Sequence, residues 1–458
     1  LLKFLPLALL AFASCTVVTV NDLPTRGDPL PLKLPAMQTF SARSFATGVT
    51  RANTDIARDF LELAFEMESG KTLERLTRFE EPVTIALAQD VSVQFSRDLD
   101  ALLNRLRREA KIDIRLAKTG SAANIVVETL PRKTLQAAVP QAACFVVPRI
   151  TSWENFKRNR RSGALDWSTL DVRDRTTIFI PDDVSAQETR DCMHEEIAQA
   201  LGPLNDLYRL SDSVFNDDNI NTVLTSFDML ILRTYYSPAL KNGMTRAQVA
   251  AVLPTVLARL NPAGKNVKPD GLQRTPRKWI NTIESALAPR SGQSRRLAQG
   301  RRAVDLARAE GWTDNRLGFS LFALGRLSLG LDSETAAESF SRAFALYAQL
   351  FGTDDIHTSH VALQLAAYSL STGNSTAALK LINGAIPSVS RAQNAGLLAT
   401  LLMIKAEALD FDEKHADAAT VRLDAIGWAR YGFGSEDEIR ARLAEISALK
   451  PRKKQAGA

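Results

Sequence analysis

The chain reads as an α+β domain, a mixed sheet packed against helices, followed by an all-α domain of helical repeats. Three observations predict this. Before residue 200, five short runs rich in β-branched and aromatic residues alternate with amphipathic helical stretches. Beyond about residue 290 the text turns Ala- and Leu-rich and helical throughout. Within that text three segments align at a fixed spacing. A chain of 458 residues exceeds one core, and strands mixed with helices followed by helices alone read as two domains.

The first stretch, "LLKFLPLALLAFASCTVV", has one Lys, a short apolar run and small residues before Cys15, the layout of a secretory signal. "FASC" at 12–15 resembles a bacterial lipobox, with Phe where Leu is usual. That resemblance implies cleavage before Cys15 and lipid on the new terminus. An ordinary cleavage site near Cys15, or an uncleaved anchor reaching Val20, are the alternatives. Thr16 rather than Asp after the cysteine favours the outer membrane, so the expected location is periplasmic and membrane-anchored. Residues 1–15 are thus a signal peptide, and 16–50, with Pro24, Pro29, Pro31 and Pro35, an extended tether. Export also pairs the cysteines. The chain has three; with Cys15 lipidated, Cys144 and Cys192 remain, and an oxidising compartment favours their disulfide.

Residues 51–265 form the first domain. "NTDIARDFLELAFEMESG" predicts a helix with Ile56, Phe60, Leu63 and Phe65 near one face, ending at Gly70. Strands follow at 83–88, 112–117, 124–130, 144–150 and 176–181, with an amphipathic helix over 96–110. A polar loop, including the basic run "KRNRR" at 157–161, crosses to the last strand. Ser185 and Glu188 then form an S-x-x-E capping box that opens a helix over 185–201. A further helix lies in "LTSFDMLILRTYY" at 224–236.

The helix over 185–201 carries "MHEEIAQALGPLND" (193–206), which is similar to the zinc-binding H-E-x-x-H-x-x-G-x-x-H/D helix of zincin peptidases. The preceding order of strands and helices also looks like the zincin fold of metzincins. Aligned on the "ALG" at 200–202, Glu195 takes the place of the first ligand His and Glu196 that of the general-base Glu. Gln199 takes the second His, Gly202 the turn Gly, and Asn205 or Asp206 the third ligand. Glu195 and Gln199 lie one turn apart on one face. His194 projects about 100° away from Glu195 around the helix. The other histidines, His357, His360 and His415, lie in the later repeats. Catalytic zinc sites are built mainly on imidazole, so no zinc site is expected. A carboxylate with amide oxygens is better suited to a weak Ca²⁺ or Mg²⁺ site. No cofactor is expected beyond such a weak oxygen-ligated metal. The polar set, with "NDDN" at 216–219, reads either as a ligand-binding cleft or as groups that cap and orient the helix and loops.

The long segment "CMHEEIAQALGPLNDLYRLSDSVFNDDN" (192–219), with "FDMLILRTYY" and "LKNGMT" (240–245), resembles the domain-of-unknown-function 2927 family of bacterial proteins. The resemblance spans most of 55–265 and brings no established activity.

After a linker at 266–290 come repeats over 291–450 and a basic tail at 451–458. "TAAESFSRAFALYAQLFG", "TAALKLINGAIP" and "DAATVRLDAIGWARYGFG" align with Ala337, Ala378 and Ala419 spaced 41 residues apart, each preceded by another helix. Paired helices at this period resemble tetratricopeptide repeats, and the recurring Ala is expected where the helices approach closely. Such a solenoid implies a groove for a peptide or protein partner in the cell envelope.

A net charge of +6 is modest for this length, and no nucleic-acid motif accompanies it. Two readings follow. One is an exported, lipid-anchored envelope scaffold or binding protein, with a degenerate zincin-like domain and a repeat solenoid, and no catalysis. The other is a metal-dependent envelope hydrolase with Glu196 as general base.

Overall fold

A computed structural model describes residues 34–41, 49–118, 122–289 and 291–451. The chain divides into two compact units: 40–275, and 276–458 together with the chain before residue 40. Cys15 lies outside the described residues. Among those residues no helix is long and apolar enough to cross a membrane.

The first unit contains, in order, α1 (Asn53–Phe65), β1 (Val83–Leu87), α2 (Val93–Arg105), β2 (Ile114–Leu116), β3 (Ile125–Leu130), α3 (Arg132–Ala138), β4 (Phe145–Pro148), α4 (Trp153–Asn159), β5 (Thr176–Pro181), α5 (Ala186–Leu201), α6 (Ser226–Tyr235) and α7 (Arg246–Leu260). The strands form one five-stranded sheet in the order β2-β1-β3-β5-β4. β1 pairs in parallel with β2 and β3, and β3 in parallel with β5; only β4, at the edge, runs antiparallel to its neighbour. This is the mixed sheet with flanking helices that the sequence predicts. Every residue of β5 is buried, as a strand covered on both faces requires. Ile85, Ile125, Val127, Ile178 and Ile180 join Phe60, Leu99, Met193, Ile197 and Phe227 in one core.

Several elements differ from the sequence expectation. The first helix stops at Phe65, not Gly70, because Glu66 turns extended and pairs with Thr72 across a tight turn. The basic run is not a loop: Lys157 and Arg158 sit in the last turn of α4, whose Trp153 and Phe156 pack on Phe179 and Phe145. Four aromatic rings thus cover the outer end of β4 and β5 and supply the apolar face that the charges of "KRNRR" hide. α3 was also unmarked by periodicity, being two turns long with only Leu135 buried.

The second unit is helical: α8 (Arg277–Leu287), α9 (Gln293–Ala309), α10 (Asn315–Ser328), α11 (Ser333–Phe351), α12 (Ile356–Ser371), α13 (Ser375–Arg391), α14 (Ala395–Phe411), α15 (His415–Gly432) and α16 (Glu436–Ser447). Consecutive helices pack on one another in sequence order, as a repeat stack requires. α8 occupies much of 266–290, where the sequence predicts a linker; its Trp279 and Ile283 are buried. The Pro-rich segment is also not free along its whole length. The amide of Gln38 donates to the carbonyl of Gly427 at 2.9 Å, and Arg430 donates to the carbonyl of Pro35 at 2.7 Å.

The alanine register needs correction. Ala378 is buried, but Ala337 is only partly covered and Ala419 is exposed. The packed small residues are Ala336, Ala378 and Ala418. The equivalent helices start at Ser333, Ser375 and His415, so the true spacing is uneven, and one residue of offset turns a side chain about 100° around the helix. Replacing Ala378 by Leu is expected to lower stability by about 1–3 kcal/mol through overpacking. Ala419→Leu should change it by less than about 0.5 kcal/mol. Urea unfolding of the two variants checks the register, and equal effects would refute it.

Candidate functional site

Helix α5 is held at both ends and in the middle. Ser185 caps its start, its hydroxyl accepting from the amide of Glu188 at 3.1 Å. The Glu188 carboxylate pairs with Arg132 of α3. In the middle, Cys192 is joined to Cys144, beside edge strand β4, with Cα atoms 6.0 Å apart. At the C-terminus the helix ends in the interior, where Arg173 donates to the carbonyls of Gln199 at 2.7 Å, Ala200 at 2.8 Å and Gly202 at 3.0 Å. The Tyr236 hydroxyl donates to the carbonyl of Leu201 at 2.9 Å. Gly202 lies so close to Tyr235 that a Cβ would come within 2.9 Å of its ring.

After Gly202 a long irregular stretch, 203–225, runs almost wholly buried back to α6. Its backbone groups and charges are tied down one by one, as buried irregular backbone must be. Leu204 donates to the carbonyl of Leu63 at 3.1 Å, and the side-chain amide of Asn205 to the carbonyl of Glu62 at 3.1 Å. Arg209 forms buried ion pairs with Asp59 at 2.7 Å and Glu62 at 2.8 Å. Asp228 of α6 accepts from Ser213 and from the amides of Val214 and Thr225, although burial lifts its carboxyl to about 6.

The predicted site residues separate into two groups. His194 and Asn205 are structural. His194 Nδ1 accepts from the amide of Leu224 at 3.2 Å, and Arg105 holds the carbonyl of the same residue at 2.8 Å. Burial first, then the charges of Arg105 and Arg190, holds the imidazole well below its ordinary pKa, so it is a neutral acceptor. Gln199 is buried one turn after Glu195. Glu195, Glu196 and Asp206, in contrast, belong to one acidic cluster with Glu68 and Asp217. Burial, then Glu68, Asp217 and Asp191, lifts Glu195 to about 8. Glu196 is pushed well above the carboxylate range by burial, then by Glu195 and Glu68. Asp206 is pushed the same way by burial, Glu68, Asp217 and Glu195, and it shares a hydrogen bond with Glu68. Such a carboxyl–carboxyl bond requires a proton on one partner.

Two members depart from the sequence expectation. Glu68 carries no sequence signal; it lies in the exposed turn that follows α1, within the stretch predicted as helix. The "NDDN" segment was expected to hold the helix side chains by hydrogen bonds. Within it Asn216 and Asp218 bond to their own loop, and the charge of Asp217 acts on Glu195 and Asp206. Among the described residues no group of three or more His, Cys, Asp or Glu side chains is arranged to hold a metal ion. A cavity of about 550 Å³, lined by residues such as Arg51, Asp55, Asp212 and Lys268, shares no residue with the cluster.

Fold and site together define an α+β domain with a rigidly mounted helix that presents buried, partly protonated carboxyls beside a long buried loop. Residues 53–255 match the family model described as a protein of unknown function (DUF2927), and this domain of the chain belongs to that family. No curated protein and no solved structure matches the chain.

The raised carboxyls carry a sign. Unfolded glutamates titrate near 4.5, whereas Glu195 holds its proton to about 8. Between these values the folded chain binds more protons than the unfolded one, so stability falls as pH rises through that window. Urea midpoints measured between pH 5 and 8 should therefore decline, and Glu195→Gln should flatten the decline. A rising midpoint, or the same slope in the variant, would contradict this assignment.

Proposed function

We propose that the chain is an exported, lipid-anchored binding protein of the bacterial envelope. Its α+β domain keeps a zincin-like scaffold without zinc peptidase chemistry, and its helical repeats offer a groove to a peptide or protein partner. The observation that carries this reading is the commitment of His194: the one histidine within residues 40–275 already accepts a backbone hydrogen bond, while the ligand face of the helix presents Glu195 and Gln199. Oxygen donors alone bind Zn²⁺ poorly beside the imidazole sets of catalytic sites. The zincin-like reading is supported by parallel strands with an antiparallel edge strand and by a site helix that follows β5. The disulfide supports an oxidising compartment, and with it export. Lipid attachment at Cys15 rests on the lipobox-like sequence and favours the outer membrane.

The hydrolase reading retains one specific support. Glu196 is 3% exposed, one of its carboxylate oxygens lacks a hydrogen-bond partner, and burial raises its pKa, all properties of a general acid or base. Metal analysis of the purified full chain decides between the two. The binding reading expects zinc far below one atom per chain and no chelator-sensitive peptide cleavage. Stoichiometric zinc, with cleavage abolished by Glu196→Gln, would establish the hydrolase. In cells, Cys15→Ser should move the protein from the membrane fraction to the soluble periplasm, and unchanged partitioning would reject lipidation.

The disulfide has its own test. The two cysteines are 48 residues apart, and removing the bridge by Cys144→Ser is expected to cost about 3–4 kcal/mol by the chain-entropy estimate. A reducing agent should lower the melting temperature of the native chain but not of the variant. Equal responses would mean that the bond contributes nothing.

A further inference from the structure

Residues 34–39 belong to the helical unit and form neither helix nor strand. Ala36 and Thr39 are exposed, while Leu34, Pro35, Met37 and Gln38 are partly covered. A repeat of three is that of extended, polyproline-type backbone. The segment runs antiparallel to α15. Near its start the carbonyl of Pro35 accepts from Arg430 at 2.7 Å. Three residues on, the amide of Gln38 donates to the carbonyl of Gly427 at 2.9 Å, and its side-chain amide donates to the Asp424 carboxylate.

The helix is shaped for this contact. Asp424, Gly427 and Arg430 recur at every third residue of α15, so each neighbours the next along the helix surface. Gly weakens a helix interior relative to Ala. Here a Cβ on Gly427 would come within 2.9 Å of Gln38 Cγ, 3.1 Å of its Nε2 and 3.2 Å of the Ala36 carbonyl oxygen. The missing side chain makes room for the docked backbone. Among the described residues the side chains of Asp424 and Arg430 have no hydrogen-bond or ion-pair partner outside this segment. The segment itself is lightly held. None of its six residues is buried, and three hydrogen bonds must offset the entropy of ordering them. Such a contact forms because the chain's own linkage keeps the segment at high effective concentration, and a peptide of the same chemistry can displace it.

We propose that the face of α15 marked by Asp424, Gly427 and Arg430 is a docking surface for an extended peptide of a partner protein, one that carries Gln three residues after Pro. Residues 34–39 occupy it in cis as a stand-in for that peptide. Arg430 takes the carbonyl of the Pro, whose ring pre-sets the extended backbone. The Gly427 carbonyl and the Asp424 carboxylate take the main-chain and side-chain amides of the Gln. The inference rests on the binding reading above, that the repeats take a peptide partner, and deepens it by naming the peptide's chemistry. It depends on neither export nor the carboxyls of α5.

Fluorescence anisotropy on the full chain tests it, with a labelled, terminally blocked Leu-Pro-Ala-Met-Gln-Thr peptide as probe. Gln38→Pro removes both donors of that residue from a segment that contributes nothing to a core. This variant should bind the probe about tenfold or more tightly than the native chain, where the segment competes. Adding Gly427→Ala, which favours the helix but fills the space, should undo that gain. In the native chain hydrogen exchange at the Gln38 amide should be slowed, and Gly427→Ala alone should release it. Equal probe affinity in the native chain and in Gln38→Pro overturns the proposal. So does a probe that fails to bind Gln38→Pro at about 1 mM, the scale of effective concentration on a short linker, or binding indifferent to Gly427→Ala. A lower melting temperature for Gln38→Pro without probe binding also overturns it, since the segment would then only brace the repeats. None of these outcomes bears on zinc content, which tests the binding reading separately.

Discussion

Helix α5 ends in the protein interior, where its last carbonyls meet a guanidinium instead of water. Arg173 is 2% exposed and satisfies three of those carbonyls. It stacks at 4.8 Å over the ring of Trp167. Burial pulls its pKa down, yet the negative end of the helix and the aromatic face together offset much of the desolvation. The consequence is positional. With the helix end fixed, the chain leaves at Gly202 against the ring of Tyr235 and returns along α1, and that return brings Asp206 within electrostatic reach of Glu195. Without the clamp, four unsatisfied carbonyls would have to face solvent, and the helix could not end where the acidic cluster needs it.

Much of this fold is legible in the sequence because its signals are local. Short runs rich in β-branched and aromatic residues mark all five strands, and the capping residue Ser185 marks the start of α5 to within one position. The failures share a cause. α3 and α4 are seven residues each, too short for a helical period to accumulate, and the charges on α4 mask an aromatic face. In the repeats the text alignment found the right helices but missed the packed face by one residue in two of three units. Uneven connections shift the register, and no sequence spacing reports which side of a helix its neighbour occupies.

The site was legible only in part, for a related reason. Periodicity places Glu195 and Gln199 on one face of α5 and turns His194 away, and the structure agrees with both. That Asn205 would turn to the carbonyl of Glu62 while its neighbour Asp206 joined the cluster is a matter of how a long irregular stretch threads past α1. Glu68 could not be found from sequence at all. It reaches the cluster because α1 ends early at Phe65 and the chain doubles back through the Glu66–Thr72 bridge. A helix carried on to Gly70 would have pointed Glu68 elsewhere.

The same domain shows how it treats acidic side chains when they serve structure alone. Asp55, Asp59, Glu62 and Glu66 line one side of α1, all buried, and each meets an arginine. Arg58 pairs with Asp55 and Asp59, Arg51 also reaches Asp59, and Arg209 bridges Asp59 and Glu62. Arg246 and Arg274 close on Glu66. Glu195, partly exposed, and the buried Glu196 and Asp206 are instead shifted upward by burial and by neighbouring carboxyls. The contrast cannot be attributed to a shortage of arginines in the domain. Arg190 lies within α5 and pairs with Asp191, and Arg173 holds the carbonyls at the end of that helix. Crowding like charges in a rigid, partly open setting destabilises the fold, and a clamp, a disulfide and a buried loop hold it there nonetheless. Where a local rule is broken at such expense, the rule of consistency predicts function at that point.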